Sequence, residues 1–204
     1  MFALLIVPAA YVIGSLSPSW IIARLTAGVD LRKEGNGRVS ATAVQRHAGW
    51  LYFLLAMVLD VGKGASAIFA CLLVTDNQWI ILAAGLAVVV GHCWSVFLRF
   101  NGGLGATVIY GVLLSIVLWQ FLMGALGGLI IFLSVKKSTL ATAIAIAVTS
   151  VAVFIMKGDL VLSLYPLLLL LAQFTKRFSI SGDDNSEYKN DLMQDLKRKK
   201  DSIE

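Results

Sequence analysis

The sequence predicts an all-α integral membrane protein with seven transmembrane helices, two of them short. Three observations carry that prediction. Of 204 residues, 58% are hydrophobic and 14% are charged, against roughly 25% charged in a soluble domain. The mean hydropathy is +0.84, and several uncharged runs approach or exceed the ~20 residues that a helix needs to cross a hydrocarbon core. The basic residues fall mostly between those runs, where the inward-facing loops of a membrane protein keep them. The net charge of +5 is therefore a matter of topology and not a nucleic-acid footprint.

Residues 2–27 form the first span, with Arg24 able to snorkel near its end. The start of the chain has no basic region, so this run reads as a retained helix and not a cleaved signal. Residues 28–50 read as a polar loop, 51–74 as the second span, Asp76-Asn77 as an acidic turn and 79–98 as the third span. Arg99 to Gly105 is a glycine-rich break. The apolar run 106–135 would be about 45 Å long as one helix at 1.5 Å per residue, well beyond a core of roughly 30 Å. A break near Trp119-Gln120 makes it two short helices. That choice puts the 28–50 loop, Arg99, Lys136-Lys137 and Lys176-Arg177 on one side, which is the cytoplasm by the positive-inside rule. Residues 139–156 and 160–175 are the last two spans, with Lys157 outside as the exception. The chain divides into a membrane domain, 1–180, and a polar cytoplasmic tail, 181–204.

Polar groups of interest converge on the cytoplasmic side. In the stretch Gly91 to Gly111, the glycines Gly102, Gly103 and Gly105 precede a helix start. Bare backbone N–H groups and a positive helix end together hold anions, often phosphate. The same glycines also serve simply to turn the chain. The first loop offers Asn36, Arg38, Ser40, Thr42 and Arg46. Guanidinium suits a phosphate monoester through paired hydrogen bonds, although an ordinary positive-inside loop has the same composition. Asp60 and Lys63 are three apart on one helix face, and two charges inside an apolar run are costly enough to suggest a site or a structural ion pair. His92 lies beside the glycine break and could exchange a proton or donate to phosphate. Thr139 and Thr142, also three apart, could bond a ligand or their own helix carbonyls. The only histidines are His47 and His92, and Cys71 and Cys93 show no metal spacing. No metal or other cofactor is expected.

The order and spacing of these blocks resemble the PlsY family of bacterial acylphosphate:glycerol-3-phosphate acyltransferases. Gly14-Ser15 followed by Pro18 resembles its first helix. The run Asp30-Leu31-Arg32-Lys33-x-Gly35-x-Gly37, then Ala41-Thr42 and Arg46-x-x-Gly49, resembles its first loop. Asp60-x-x-Lys63-Gly64, and Gly91-His92 leading into Phe97-Leu98 and Gly102-Gly103-x-Gly105, resemble its second and third blocks. Thr139 and Thr142 stand where the family has serines. The similarity covers roughly residues 10–145.

The resemblance implies seven helices, no cofactor, and transfer of a fatty acyl group from acyl phosphate to the 1-hydroxyl of glycerol 3-phosphate. It implies Lys63 and His92 as catalytic, and Arg46, Gly102, Gly103 and Gly105 as substrate-binding; the reading of the residues adds Asn36, Arg38, Thr139 and Thr142 as substrate-binding, with Asn36 and Arg38 standing where the family has Ser and Asn. Of these, Arg46 would hold a phosphate, and the three glycines would form the acyl-phosphate loop. It also implies a monomer in the bacterial inner membrane, with membrane lipid and no nucleic acid as partner. The chain departs from the family at several positions. Leu104 stands where the family's glycine loop has lysine, and Arg38 is expected to replace part of that charge. The family's last motif is not recognisable in Phe174 to Asp184. A non-catalytic relative binding a lipid, a phosphate or a partner protein is the alternative, and a small transporter a weaker third.

Overall fold

The computed structural model describes residues 2–34 and 37–178. Among them the chain is helical, with no strand. After a 3-10 turn at Phe2–Leu5, the helices are α1 (Ile6–Ser15), α2 (Pro18–Ala27), α3 (Ala41–Ala48), α4 (Trp50–Leu72), α5 (Gln78–Cys93), α6 (Ala106–Ile116), α7 (Leu118–Val135) and α8 (Ser138–Lys157). A last helix, α9, covers Leu160–Phe178. Six stretches are long and apolar enough to cross a membrane: Ala3–Ala27, Trp50–Leu72, Gln78–Leu98, Leu118–Val135, Ser138–Lys157 and Leu160–Phe178. With 11 residues, α6 is only about 16 Å long and cannot cross a hydrocarbon core alone.

Helices in lipid gain little by burying apolar surface against one another, so they associate where small residues let backbones approach. Three pairs are built this way. A Cβ at Gly14 or Gly91 would strike the facing backbone between α1 and α5, at Val88 or at Tyr11. One at Gly64 or Gly111 would strike Val108 or Val61 between α4 and α6. Gly124 and Gly128 of α7 meet Ala145, Thr149 and Ala141 of α8. Each added methyl would cost about 1–3 kcal/mol through forced separation.

Four features differ from the sequence expectation. The first span is broken at Leu16–Ser17, because Pro18 lacks an N–H and drives the residue before it out of helical geometry; Ser17 is extended. The polar 28–50 loop contains α3, capped by Ser40, whose Oγ accepts from the Ala43 N–H. The long apolar run breaks at Val117 (φ −138°, ψ 56°), before Trp119-Gln120, and only its first half is short. Gln120 itself lies 5% exposed inside α7. The fourth feature is the cause of the short α6. After Leu98 the chain doubles back along the last turn of α5, so that the Gly102 N–H donates to the Cys93 carbonyl and the Gly103 N–H to the His92 carbonyl. Gly105 then lies against Cys93 and Val89. Helix α6 therefore begins at the depth of His92.

Candidate active site

The break between α1 and α2 is the floor of the site. A helix end leaves carbonyls without partners, and other elements satisfy two of them here. Ser95 Oγ donates to the Ser15 carbonyl, and Lys63 Nζ donates to the Leu16 carbonyl at 2.7 Å. Lys63 also reaches Asp60 Oδ1 at 3.1 Å and His92 Nδ1 at 2.7 Å. Ser19 Oγ, at the start of α2, donates to Asp60 Oδ2. Asp60, Lys63 and His92 are 2%, 8% and 5% exposed. The i,i+3 pair expected from the sequence is thus part of a three-residue cluster that also includes His92. An ammonium can only donate, so His92 Nδ1 accepts and the ring proton sits on Nε2. That nitrogen faces Gly103, where any Cβ would collide with it. Glycine at 103 keeps the N–H donor uncovered.

The cluster opens into a cavity of about 340 Å³. Asp60 and His92 line it, with Ser40 and Thr42 from the first loop and α3, Leu104 and Gly105 from the glycine loop, Thr107 and Tyr110 from α6, Thr139 and Thr142 from α8, and Gln173 and Arg177 from α9. The hydroxyls of Tyr110 and Thr142 bond at 2.9 Å. Phe53, Met57 and Phe132 form an apolar side of the same cavity. The first N–H groups of α6 have no intrahelical partners and present a positive helix end beside it.

Of the residues singled out in the sequence, the cavity gathers Ser40, Thr42, Asp60, His92, Leu104, Gly105, Thr139 and Thr142 directly, with Lys63 one layer behind. Gly102 and Gly103 do not line it, and their N–H groups are committed to α5 carbonyls. Arg46 is exposed on α3, and neither it nor Arg38 lines the cavity. Asn36 and the tail 181–204 lie outside the described residues. Several lining residues were not singled out beforehand, Tyr110, Gln173 and Arg177 among them. Tyr110 was one aromatic in an apolar run, Gln173 one polar residue near a span end, and Arg177 one of a pair of topology charges.

The loop is held from outside by Lys176, which is 3% exposed. Its Nζ donates to the Phe100 carbonyl at 2.9 Å and lies 5.8 Å from the Trp94 ring centroid. Arg99 and Phe100 have φ of 54° and 64°, a left-handed conformation costly for such residues. The buried lysine contact helps to hold that turn. Farther out, Asp30 caps the 3-10 turn Leu31–Lys33, accepts from Trp20 Nε1 and pairs with Arg32 at 2.7 Å. The Arg32 guanidinium holds its carboxyl well below the usual carboxylate range.

A cluster of buried charge beside a glycine loop, opening to a cavity with one polar and one apolar side, suits a phosphorylated substrate carrying a hydrocarbon chain. The family model described as glycerol-3-phosphate acyltransferase matches residues 4–180. The chain belongs to the glycerol-3-phosphate acyltransferase family. A curated family member from Thermosipho melanesiensis is 37% identical over 163 residues, covering 78% of this chain and 80% of that one. One from a Wolbachia of Culex pipiens is 36% identical over 164 residues, covering 79% and 85%. The solved structure of PlsY, an integral membrane glycerol 3-phosphate acyltransferase, in its glycerol 3-phosphate form superposes with a TM-score of 0.78 at 30% identity. It covers 95% of this chain and 93% of that one. This acyltransferase is therefore a multi-pass membrane protein of PlsY type.

Proposed function

We propose that the cavity transfers a fatty acyl group from acyl phosphate to glycerol 3-phosphate, giving lysophosphatidic acid and inorganic phosphate. The observation that carries this reading is the placement of His92 in the cavity wall, its ring held by Lys63 beside Asp60. In the transfer, a glycerol hydroxyl oxygen attacks the acyl carbonyl carbon, the bond from that carbon to the phosphate oxygen breaks, and the departing phosphate can take up the hydroxyl proton. Negative charge grows on the carbonyl and phosphate oxygens. His92 Nε2–H and the first amides of α6 are donors fixed before the reaction, the arrangement that lowers such barriers most. Lys63 acts through His92 by fixing its tautomer. The apolar side formed by Phe53, Met57 and Phe132 takes the start of the acyl chain. Thr139 and Thr142 of α8 offer hydroxyls to the substrate, and Asn36 of the 28–50 segment is assigned to substrate binding as well. Gly102 and Gly103 serve by letting the loop lie against His92. Arg38 and Arg46 flank Ser40–Thr42 and draw anions toward the mouth.

We read α6 as the seventh membrane segment, entered from the re-entrant loop, with the glycine-loop end in the cytoplasm. The support is the placement of Arg32, Lys33, Arg99, Lys136 and Lys137 at that end. The chain acts as a monomer in a bacterial inner membrane. The test is phosphate release from palmitoyl phosphate by the purified protein in a lipid mesophase, with and without glycerol 3-phosphate. Acceptor-dependent release is expected. Silence under conditions where a PlsY relative turns over would overturn the assignment.

A further inference from the structure

Hydroxyls inside these helices have a default use. Thr26, Ser115, Ser134 and Thr149 each donate to the backbone carbonyl four residues back, the bond that a helical serine or threonine makes to its own helix. Thr142 of α8 is placed differently. Its Oγ1 meets the hydroxyl of Tyr110 on α6 at 2.9 Å, in place of the Ser138 carbonyl one turn back. Both side chains line the cavity of about 340 Å³, and Thr142 is only 6% exposed. The Tyr110 ring is fixed from two directions. It packs against Phe121 of α7 with ring centroids 5.4 Å apart. Its neighbour Gly111 lies so close to the Val61 carbonyl of α4 that a Cβ there would collide.

Counting protons gives the pair a purpose. Each hydroxyl carries one proton and two lone pairs. One proton lies in the bond between them, so one O–H remains whichever atom donates. A buried O–H left without an acceptor is unfavourable, and the cavity is where an acceptor can come from. An anionic oxygen suits it best, because a hydrogen bond to a charged group is roughly twice as strong as one between neutral groups. We propose that Tyr110 is a further substrate-binding residue, and that Tyr110 and Thr142 act as one unit presenting a single O–H to a phosphoryl oxygen. Tyr110 offers or orients that proton, and it keeps Thr142 from turning back to Ser138. This rests on the reading that the cavity takes phosphorylated substrates. The acyl donor and the acceptor both carry such oxygens, and kinetics distinguish them.

The experiment is a double-mutant cycle on the full chain in a lipid mesophase. It reads kcat and the KM for palmitoyl phosphate and for glycerol 3-phosphate, with binding of radiolabelled inorganic phosphate measured in parallel. Tyr110→Phe keeps the ring against Phe121 and removes the hydroxyl; Thr142→Val keeps the shape of the threonine. Each is expected to lower kcat/KM and weaken phosphate binding by about five- to twenty-fold. Added to Thr142→Val, Tyr110→Phe should cost less than about a further two-fold. Thr142→Ser retains a hydroxyl and should stay closer to the native chain than Thr142→Val. Ser134→Ala removes a hydroxyl bonded to its own helix and is the control. Where Thr142→Val is not monodisperse, Thr142→Ala takes its place in the cycle. A rise in KM confined to palmitoyl phosphate assigns the bonded oxygen to the donor, and one confined to glycerol 3-phosphate assigns it to the acceptor. Unchanged kinetics and binding in Tyr110→Phe overturn the proposal. So do losses that multiply in the double variant, as two independent packing defects would, and so does a native chain that neither turns over nor binds phosphate. Phosphate binding that falls by one factor in both single variants, together with no turnover by the native chain, would keep the pair and reject the transfer reaction instead.

Discussion

At the glycine-loop end of the bundle, a cavity of about 340 Å³ is lined by Asp60, His92, Thr142 and Gln173, all less than 9% exposed. At the opposite end, a recess of about 450 Å³ lies among the ends of α4, α6 and α8 and the starts of α5 and α9. Its polar residues Asp76, Gln78 and Lys157 are exposed. Asp159, also in its wall, is occupied by local work. It caps α9 through the Leu162 N–H and accepts from Gln78, and those bonds hold its carboxyl below the usual range. The larger hole thus contains groups whose presence needs no ligand to explain it. The smaller one contains groups that are costly to bury, arranged around glycines that would clash if given side chains. Size alone ranks the two recesses wrongly, and the cost of burying their polar groups separates them.

The largest expected difference between the two ends is in turnover. His92→Ala is expected to reduce kcat/KM by about 10²- to 10³-fold, as loss of a preorganised donor does. Asp76→Ala and Lys157→Ala should stay within about two-fold. Comparable losses at both ends, measured in the phosphate-release assay, would erase the distinction. A second contrast uses glycines. Gly103→Ala forces a methyl onto His92 Nε2 and the Val39 carbonyl, and a misplacement of that kind is expected to lower kcat by about 10²-fold. Gly62→Ala faces open space on α4 and should leave activity alone while stabilising the helix by up to about 1 kcal/mol. Both are read by kinetics and by thermal unfolding.

Two smaller effects sharpen the picture farther from the cavity. Lys176→Met keeps most of the buried stem but loses the bond to Phe100, so the left-handed turn before the glycine loop loses a restraint. A fall of about ten-fold in kcat/KM is expected, with Lys176→Arg recovering part of it. The smallest effect is at Asp30. Its folded pKa is depressed, so its contribution to stability is complete above the unfolded value of about 3.9 and is lost as pH falls through the folded value. Asp30→Asn should lower Tm near neutral pH by about 2–4 °C, the equivalent of about 1 kcal/mol. It should also flatten the fall in Tm on acidification below about pH 4. An unchanged acid profile would show that Asp30 is not its source.

Much of the fold was legible in the sequence, because apolar runs longer than a bilayer's needs leave few choices. The sequence also carried the ingredients of the departures. Pro18 lies inside the first run, yet the run reads as continuous by hydropathy. Ser40 is a cap for eight residues whose amphipathic pattern is hidden in a polar stretch. The break in the long apolar run was legible to within two or three residues, at Val117 beside Trp119-Gln120, but not which half would be short. The site was legible where charge was anomalous, as at Asp60 and Lys63. It was not legible where residues have two uses. Arg177 fits the positive-inside pattern as well as it fits a cavity wall, and only the packing of α9 against the glycine loop separates the two.

The loop that doubles back along α5 has a consequence for traffic. On the proposed reading, a helix that starts at the depth of His92 sets the reacting groups back among the helices, beside Phe53 and Met57 of α4 and the 44%-exposed Phe132 of α7. A donor can keep its hydrocarbon tail among its lipid neighbours and turn only its head inward. The water-soluble partner makes the longer descent. The product then departs sideways with its chain already in place, so the step that would expose a fatty tail to water never has to occur.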